Sequence, residues 1–515
     1  MLNVQNVTHG YGTRCILDDA SFRLLRGEHV GLVGANGEGK TTFLNIITKA
    51  MQPDEGTVTW GKNVTVGYLD QRTTLEVGKT IRDVLRDAFA HMFAMEQDML
   101  AMYEQMGSAD EDEMERLMQD VGDIQEILDH SGFYSIDSRI EEFAGGLGLA
   151  EIGLDRNVTQ LSGGQRTKVL MTKLLLENPT VLILDEPTNF LDENHILWLK
   201  NFLQSYENAF LLVSHDTQFM NSVVNVIYHV ENSVLTRYTG DYENFLAMYD
   251  LKKRQLEQAY EKQQKEIAGL EDFVARNKAR AATANMARSR QKKLDKMDVI
   301  TLDKEKPKPT FSFEYSRAPG KAVIEAKSLI IGYDTALTKP LSFVVERGQK
   351  IAVKGVNGLG KSTLLKTMLG ILPPFEGSVE LDYYAEPAYF EQEHLGGSKT
   401  ALQDLWDDYP AMTNGEVRGA LARCGLTTQH IESQVKVLSG GENAKLRLCK
   451  LCLQKMNLLV LDEPTNHLDV YAKEALQQAV KAFKGTVILV SHEPEFYESI
   501  VTDVWNLEDW TTKIV

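Results

Sequence analysis

The chain has 515 residues and a formal net charge of −18 at pH 7, with 43% apolar and 25% charged residues. Its length exceeds what one hydrophobic core can organise and predicts about three domains. Without a run of about 18 apolar residues or a signal-peptide pattern, we expect neither a membrane nor a secreted protein. The 4 cysteines are too few for a disulfide framework, which fits a reducing cytoplasm. Cys449 and Cys452 fall in an apolar helical stretch, where we expect core packing.

The chain contains an internal repeat of several motifs. They are GANGEGKT (34–41) with GVNGLGKS (355–362), LSGGQ (161–165) with LSGGE (438–442), LILDEPTNFLD (182–192) with LVLDEPTNHLD (459–469), and LVSHD (212–216) with LVSHE (489–493). The last three pairs share one spacing and the first pair is spaced more widely, so the register of the repeat changes once. We therefore predict two copies of one unit, the first of which carries an insertion. The predicted bounds are 1–240 for the first copy, 241–320 for a linker and 321–515 for the second copy.

Each glycine-rich loop follows an apolar strand and begins a helix, which is the context that a phosphate-binding loop requires. Its glycines allow backbone N–H groups to point at an anion, and the helix N-terminus adds the positive end of its dipole. We predict that Lys40 and Lys361 reach the β- and γ-phosphates of ATP, while Thr41 and Ser362 bind Mg²⁺. The predicted nucleotide-binding residues of the loops are Gly34, Asn36, Gly37, Gly39, Lys40, Thr41, Thr42, Gly355, Asn357, Gly358, Gly360, Lys361, Ser362 and Thr363.

Adjacent carboxylates end an apolar strand in both copies. The strands VLILD and LLVLD deliver Asp185 and Asp462, which we expect to bind Mg²⁺. Glu186 and Glu463 follow directly, where a glutamate can orient or deprotonate the water that attacks the γ-phosphate. A solvated acidic pair is the alternative interpretation. The position of the Asp-Glu pair at the end of a buried strand in both copies favours catalysis instead.

Single polar residues also follow strands in matching places. His215 and His492 come after AFLLVS and TVILVS, and we predict that both contact the γ-phosphate rather than serve as core residues. Gln71 and Gln392 follow short strands and are weak signals by themselves. They are separated by the same interval as the two phosphate-loop lysines, so we predict a metal-binding and catalytic role for them.

One tyrosine beside a glycine precedes each phosphate loop. Tyr11 and Tyr333 stand upstream of the loops by similar distances in the sequence. We predict that each stacks on adenine, since an aromatic face suits a nucleobase. Packing in the core or in a turn is the alternative.

The insertion lies within about 85–140 and has apolar residues at helical spacing on either side of a polar break near Gly107. Residues 95–131 hold 12 acidic side chains and 1 basic one. We predict an acidic helical hairpin. Its charge should keep it away from a nucleic-acid backbone and suit a basic protein surface.

The segment 242–300 has no proline and 1 glycine, which predicts two long helices, meeting near 281–285, followed by an extended segment at 304–309. Within it, 276–296 carries 8 basic and 1 acidic side chain. A merely solvated coiled coil would mix charges of both signs, so we favour an RNA-binding footprint despite the acidic average. The predicted RNA-binding residues are Arg276, Lys278, Arg280, Arg288, Arg290, Lys292 and Lys293.

These motifs together resemble the ABC ATPase superfamily, and the resemblance covers both copies. The absence of a membrane domain, the DEPTN-x-LD sequences and the basic helical linker resemble its ABC-F family; the acidic insertion resembles that family's arm. The resemblance implies an α/β fold in which two P-loop ABC nucleotide-binding domains, each a mixed sheet with a helical subdomain, are joined by an α-helical hairpin. It also implies head-to-tail packing, with each ATP between the phosphate loop of one domain and the LSGG loop of the other.

On this implied arrangement, the first LSGG loop contacts the nucleotide held by Lys361, and the second contacts the nucleotide held by Lys40. The residues concerned are Ser162, Gly163, Gly164, Ser439, Gly440 and Gly441. Each serine is also expected to cap the helix that follows it. Glu38 in one phosphate loop and Glu442 in place of a signature glutamine suggest that the two sites are not equivalent.

The resemblance further implies action on the ribosome. ABC-F proteins bind the tRNA exit site, direct the linker at the P-site tRNA and the peptidyl-transferase centre, and contact ribosomal RNA and ribosomal proteins; some protect ribosomes from antibiotics. The linker tip here is short and made of small and basic residues, which favours a general role in translation over drug protection. The ATPase of a membrane importer is less consistent with the basic linker. A DNA-acting ABC ATPase of the repair or chromosome type would carry a very long coiled coil or zinc modules inside a domain, and the sequence shows neither pattern. Since one chain supplies both domains, we expect a monomer without a membrane partner.

Overall fold

The computed structural model describes residues 1–11, 14–69, 75–107, 110–277, 284–299, 308–333, 335–356, 358–391 and 397–511. Each copy of the repeat is built on a largely parallel sheet whose central strands are short and buried, as continuous apolar runs such as VLILD favour. In the first copy the strand order is Val66–Tyr68, Val181–Asp185, Ala209–Val213, His29–Val33, Val226–Glu231 and Val234–Thr239, of which only the last is antiparallel to its neighbour. In the second copy the order is Pro387–Phe390, Leu458–Asp462, Thr486–Val490, Lys350–Lys354 and Asp503–Asn506, all parallel.

The parallel order places the chemically important loops at one edge of each sheet. Asp185 is in register with Val213, so the loops that follow these strands start side by side. The next strand, His29–Val33, leads directly into the first phosphate loop. In the second copy Asp462 is likewise in register with Val490. The carboxyl ends of parallel strands therefore bring the predicted carboxylate, histidine and lysine together.

A three-stranded antiparallel sheet covers the phosphate-loop helix of each copy. These strands are Leu2–Tyr11, Arg14–Leu24 and Glu55–Trp60 in the first copy, and Ala322–Ile330, Leu341–Glu346 and Glu376–Leu381 in the second. Their apolar residues form one core with those of the helix and one face of the parallel sheet. A short parallel pair joins Glu314–Tyr315 to Lys455–Met456. The resulting α/β fold with two sheet cores confirms the predicted fold class.

Helices form a second core on the other face of each parallel sheet. The α-helices of the first copy are Lys40–Ile47, Ile81–Arg86, Ala90–Met106, Glu111–Ser131, Ile136–Gly146, Gly163–Glu177, Glu193–Gln204 and Thr217–Val223. Those of the second copy are Lys361–Met368, Ala401–Asp408, Asn414–Arg423, Thr428–Glu432, Gly440–Leu453, Val470–Ala482 and Pro494–Tyr497. Single 3₁₀ turns occur at Asp87–Phe89, Phe133–Ser135, Val158–Gln160, Pro187–Phe190, Val435–Val437 and Leu507–Trp510. Cys449 is buried in the second copy's helical core, as the sequence predicts.

The inserted segment contains two consecutive α-helices. Its helices, Ala90–Met106 and Glu111–Ser131, pack on each other around the buried Met99 and Val121. Asp110 caps the second helix by accepting a hydrogen bond from the backbone N–H of Glu113 at 2.9 Å. Most acidic side chains of the two helices lie on the surface.

The linker consists of the helices Tyr242–Asn277 and Ala284–Asp295. At about 1.5 Å per residue, the 36 residues of the first helix extend for about 54 Å. The two helices pack against each other and form the predicted hairpin. Within it, the guanidinium group of Arg290 lies 3.6 Å from the ring centre of Phe273. The predicted turn and extended segment lie mostly outside the described residues. None of the described helices is long and apolar enough to cross a membrane.

Candidate functional site: two nucleotide sites between the repeats

The phosphate loops close around their lysines. Lys40 Nζ donates hydrogen bonds to the carbonyl oxygens of Gly34 at 2.7 Å and Ala35 at 3.2 Å. Lys361 Nζ repeats this pattern, with its shorter bond of 2.7 Å to Gly355 O. Burial lowers the pKa of both lysines, against the opposing effect of neighbouring carboxylates. Each ammonium group thus lies in the curve of its own loop, where a phosphate would add charge-assisted hydrogen bonds.

The last glycine of each loop is required by its backbone. Gly39 has φ of 103°, a left-handed conformation, and a Cβ there would overlap Ile16 Cγ2. Gly360 has φ of 96°, and a Cβ there would make a tight contact of 3.0 Å with Leu337 Cδ1. The helices that begin at the next residue have no side-chain cap. Their first backbone N–H groups are therefore available to an anion, which fits a nucleotide phosphate.

The two catalytic candidates share an unusual backbone conformation. Glu186 has φ of 51° and Glu463 has φ of 47°, a region that residues other than glycine rarely adopt. Such conformations persist where the surrounding structure holds them, and they concentrate at functional sites. Here the backbone N–H of each glutamate donates a hydrogen bond to a carbonyl of the neighbouring strand, at 2.8 Å to Val213 and 3.0 Å to Val490. Both carboxyl groups are consequently held at the mouth of the sheet beside the phosphate loops.

The metal-binding candidates fit Mg²⁺ in the second copy. Ser362 forms a hydrogen bond with the carboxyl group of Asp462, and Tyr389 Oη donates another at 3.3 Å. Asp462 Oδ1 is buried and has no hydrogen-bond partner among the described residues. An unpartnered carboxylate oxygen beside a serine hydroxyl matches the oxygen donors that Mg²⁺ prefers. Burial raises the pKa of Asp462 to about 6 and also raises that of Asp185, and a bound cation would oppose both shifts.

The catalytic candidates differ electrostatically between the copies. Burial, with the charge of Asp185, raises the pKa of Glu186 to about 8. Burial also acts to raise the pKa of Glu463, but the hydrogen bond and charge of His492 and the charge of Lys361 outweigh it and lower the pKa. The two sites are therefore not electrostatically equivalent, although their sequences match at these positions.

The histidines differ in their partners as well. His215 Nε2 lies 3.1 Å from Asn36 Oδ1, and its backbone N–H donates to Glu186 Oε2 at 3.2 Å. Burial and nearby lysines lower the pKa of His215 to about 3, so it is neutral. His492 Nε2 instead lies 2.9 Å from Lys361 Nζ and 3.4 Å from Glu463 Oε1. Each histidine thus contacts either the lysine or the asparagine of its own phosphate loop.

The two copies face each other across the first phosphate loop. Asn36 Nδ2 donates to the carbonyl oxygen of His467 in the second copy at 3.1 Å. A Cβ on Gly441 of the second LSGG loop would overlap the same amide, so this loop lies directly on the first phosphate loop. Asp469 is near enough to oppose the lowering of the pKa of Lys40, and Asp192 has the corresponding relation to Lys361. At the first site, this contact matches the head-to-tail arrangement that the resemblance implies.

The remaining candidates lie around these loops. Ser162 and Ser439 each cap the following helix in a capping box, as the sequence predicts. Tyr11 and Tyr333 are 50% and 63% exposed, which excludes core packing and leaves both side chains accessible. Glu38, within the first phosphate loop, is buried. Several predicted residues lie outside the described residues, namely Gln71, Gln392, Asn357, Lys278 and Arg280.

Sequence reasoning missed four side chains at the site. Asn466 Nδ2 donates to Glu463 Oε2 at 2.7 Å, and Asp469 forms a buried ion pair of 2.6 Å with Lys445. For Asn466 and Asp469 the signal was present, because both copies share the TN-x-LD sequence. A fourth residue, Lys473, reaches across to the carbonyl oxygen of His215. It has no counterpart in the first copy, so the repeat could not reveal it.

Comparisons with known proteins agree with this geometry. Residues 17–189 and 338–466 match a family model described as ABC transporter, and residues 228–313 match a second model with the same description. The chain is 61% identical, over 100% of both chains, to YfmM of Bacillus subtilis, described as an uncharacterized ABC transporter ATP-binding protein. It is 35% identical to ABC transporter F family member 5 of Arabidopsis thaliana, over 99% of this chain and 75% of the relative. An archaeal ribosome recycling factor, solved with a ribosomal stalk protein, shares the fold with a TM-score of 0.59 at 19% identity, over 97% of this chain and 87% of that one.

Two phosphate loops, each with its carboxylate strand and its LSGG loop, define a pair of ABC-type ATP-binding domains within one polypeptide. Relatives that are 61%, 35% and 32% identical align with nearly the whole chain and show to which family of ABC proteins it belongs. The chain belongs to the ABC-F family of ATP-binding proteins.

Proposed function

We propose that the chain hydrolyses ATP at two sites, each formed by one phosphate loop and the LSGG loop of the other domain. Lys40 and Lys361 bind the phosphates, and Tyr11 and Tyr333 stack on the adenines. Asp185 with Thr41, and Asp462 with Ser362, would hold Mg²⁺, which would supply positive charge to the phosphate oxygens. The glutamine candidates, Gln71 and Gln392, are proposed to complete these metal sites.

Glu186 and Glu463 orient the attacking water and accept its proton, and His215 and His492 contact the γ-phosphate. The support for these roles is geometric. Each glutamate is held by its strained backbone next to its histidine, at 3.6 Å in the first site and 3.4 Å in the second. In the first site, the LSGG loop of the second domain also lies against Asn36. Hydrolysis would remove the phosphate that these groups share and so loosen the domain interface.

We further propose that this ATPase is a cytoplasmic, monomeric translation factor. It binds the ribosome at the tRNA exit site and directs its linker at the P-site tRNA and the peptidyl-transferase centre. The partners would be ribosomal RNA, that tRNA and nearby ribosomal proteins, among which a basic surface would suit the acidic insertion.

The observation that carries the ribosomal proposal is the basic helical hairpin on a protein with a net charge of −18. Arg288 and Lys292 are exposed and stand one helical turn apart, so they present their charges on the same face. By contrast, Arg290 stacks on Phe273 within the hairpin, and Lys293 pairs with Glu266 at 2.6 Å. The exposed pair is free to contact phosphates, whereas the other two also hold the hairpin together.

Co-sedimentation with ribosomes tests this proposal. The Glu186→Gln/Glu463→Gln variant should bind ATP without hydrolysing it and should accumulate in the closed form. We expect it to pellet with ribosomes in ATP and to remain in the supernatant without nucleotide. Failure to pellet in ATP, with nucleotide binding intact, would contradict the ribosomal role and leave the ATPase proposal standing.

A matched pair of linker variants separates RNA contact from hairpin integrity. Arg288→Ala/Lys292→Ala removes two exposed charges, and we expect weaker ribosome binding with a salt dependence shallower by about two units of log–log slope. Lys293→Ala/Glu266→Ala removes an ion pair inside the hairpin and leaves its net charge unchanged. If both variants weaken binding equally, the exposed charges do not act through phosphate contacts.

Antibiotic protection by the same ribosomal binding is a second candidate. The tip that would approach a drug spans 278–289, of which 278–283 lie outside the described residues. Its small and basic composition favours a general translation role. A large loss of drug resistance in a deletion strain, compared with its parent, would favour protection instead. A third candidate, the ATPase of a membrane transporter, would be supported by co-purification with a membrane protein.

A further inference from the structure

A cleft between the two domains is lined by the loops that carry both catalytic histidines. It has a volume of about 440 Å³ and receives side chains from the helices Glu193–Gln204 and Val470–Ala482. His215 and His492 both line it, one from each domain. Because the repeat relates the two domains, the cleft would be symmetric if the two helices had equivalent residues.

The equivalent positions differ in chemical character. The offset that relates Glu186 to Glu463 also relates Ile196 to Lys473 and Leu197 to Glu474. The second domain thus places a lysine and a glutamate where the first domain has two aliphatic residues. Only the second domain can offer a cation from this position to the loop across the cleft.

Lys473 uses its charge across the domain boundary. Its ammonium group lies 2.8 Å from Glu493 Oε1, and Glu493 directly follows His492. The same nitrogen donates to the carbonyl oxygen of His215, in the other domain, at 3.5 Å. The Lys473 side chain is 15% exposed, so water screens these contacts only in part. One largely buried lysine therefore connects the loops of both ATP sites.

The contact acts on the backbone that orients the first-site histidine. The backbone N–H of His215 donates to Glu186 at 3.2 Å, and its ring nitrogen lies 3.1 Å from Asn36. A hydrogen bond to the carbonyl oxygen of the same residue limits rotation of this segment. In the second site, Ile196 offers no donor to the loop of His492, and His492 lies against Lys361 instead.

We propose that Lys473 is a positioning residue for the first ATP site, acting from the opposite domain, and that its replacement by Ile196 in the repeat makes the two sites unequal. Lys473 holds His215 in line with Glu186 and Asn36 and so favours hydrolysis of the ATP bound at Lys40. It touches neither substrate nor metal. This inference deepens the proposed ATPase function and rests on it.

The test compares Lys473→Ile, which copies the first domain's residue, in full-length chains that retain one catalytic glutamate each. With Glu463→Gln, hydrolysis comes from the first site, and we expect Lys473→Ile to lower kcat about tenfold with less than about a twofold change in KM for ATP. With Glu186→Gln, hydrolysis comes from the second site, and kcat should change less than about twofold. Lys473→Arg, which keeps a cation and a donor, should restore most of the first-site rate.

Controls separate positioning from a general effect on the cleft. Glu474→Leu copies the first domain at the neighbouring position and should leave both rates unchanged. If either single-glutamate chain is inactive, Lys473→Ile is compared with Ile196→Lys in the chain with both glutamates. A loss of kcat in the first and a gain in the second supports the proposal, and any other result overturns it.

The outcomes distinguish this inference from the proposed function. An equal loss at both sites, no loss at the first site, or a first-site rate that Lys473→Arg fails to restore would overturn the positioning role while ATP hydrolysis stands. A parent chain without ATP turnover would overturn both. Should Lys473→Ile fail to fold, Lys473→Gln keeps the length and polarity of the side chain without its charge, and the same rates decide.

Discussion

Replacing Glu186 by glutamine in the nucleotide-free protein tests the electrostatic difference between the two sites. The pKa of Glu186 rises from 4.5 to about 8 on folding, chiefly through burial. At about 1.4 kcal/mol per unit, this shift corresponds to at most about 5 kcal/mol. The folded chain holds a proton that the unfolded chain releases. The associated stability is therefore present below the unfolded pKa and is lost as the pH rises through about 8.

Glutamine cannot ionise, so Glu186→Gln avoids this loss. We expect the variant to be more stable than the parent chain at about pH 8.5 by up to about 5 kcal/mol, and equally stable at about pH 4.5. For a domain of this size, the first cassette would melt up to about 10 °C higher. Differential scanning calorimetry in a chelator, without nucleotide, measures the effect as a function of pH.

The repeat supplies the control at the equivalent position. Since the pKa of Glu463 is lowered on folding, its stability contribution is present above the unfolded pKa and lost as the pH falls through the folded pKa. Glu463→Gln should therefore destabilise the second cassette at about pH 8.5. If both glutamine variants shift stability in the same direction, or if the effect of Glu186→Gln does not depend on pH, the electrostatic argument is refuted.

Two further substitutions probe the domain interface and the second cassette. Gly441→Ala places a Cβ where the Asn36 amide lies, so ATP-dependent closure of the two domains should be lost. Small-angle scattering of the hydrolysis-deficient chain measures this closure. Gly415 has open space around it, so the control variant Gly415→Ala should close normally. Lys445→Met leaves Asp469 without its buried partner at 2.6 Å and should cost about 3–5 kcal/mol of second-cassette stability, measured by thermal unfolding. Asp469→Asn added to it should recover part of that loss, and no recovery would mean that the ion pair is not its cause.

Much of the architecture could be predicted from the sequence, because its signals are local or repeated. The phosphate loops require glycines and a lysine at fixed spacing, and the strands that precede Glu186 and Glu463 are continuous apolar runs. The change of register located the inserted arm, and helical periodicity predicted its two helices. Capping by Ser162 followed from the serine and the glutamine three residues later. None of these features depends on where a distant part of the chain lies.

The tertiary structure decided how the two copies differ and where they meet. Identical Asp-Glu sequences produce a raised pKa at Glu186 and a lowered pKa at Glu463, because burial and the nearest histidine and lysine differ between the sites. The approach of Gly441 to Asn36 joins residues that lie far apart in the sequence. The repeat did not reveal Lys473, because the role of this residue depends on its contact with the carbonyl oxygen of His215 in the opposite domain. Desolvation and charge act through space rather than along the chain, so these properties exist only after the two domains have packed together.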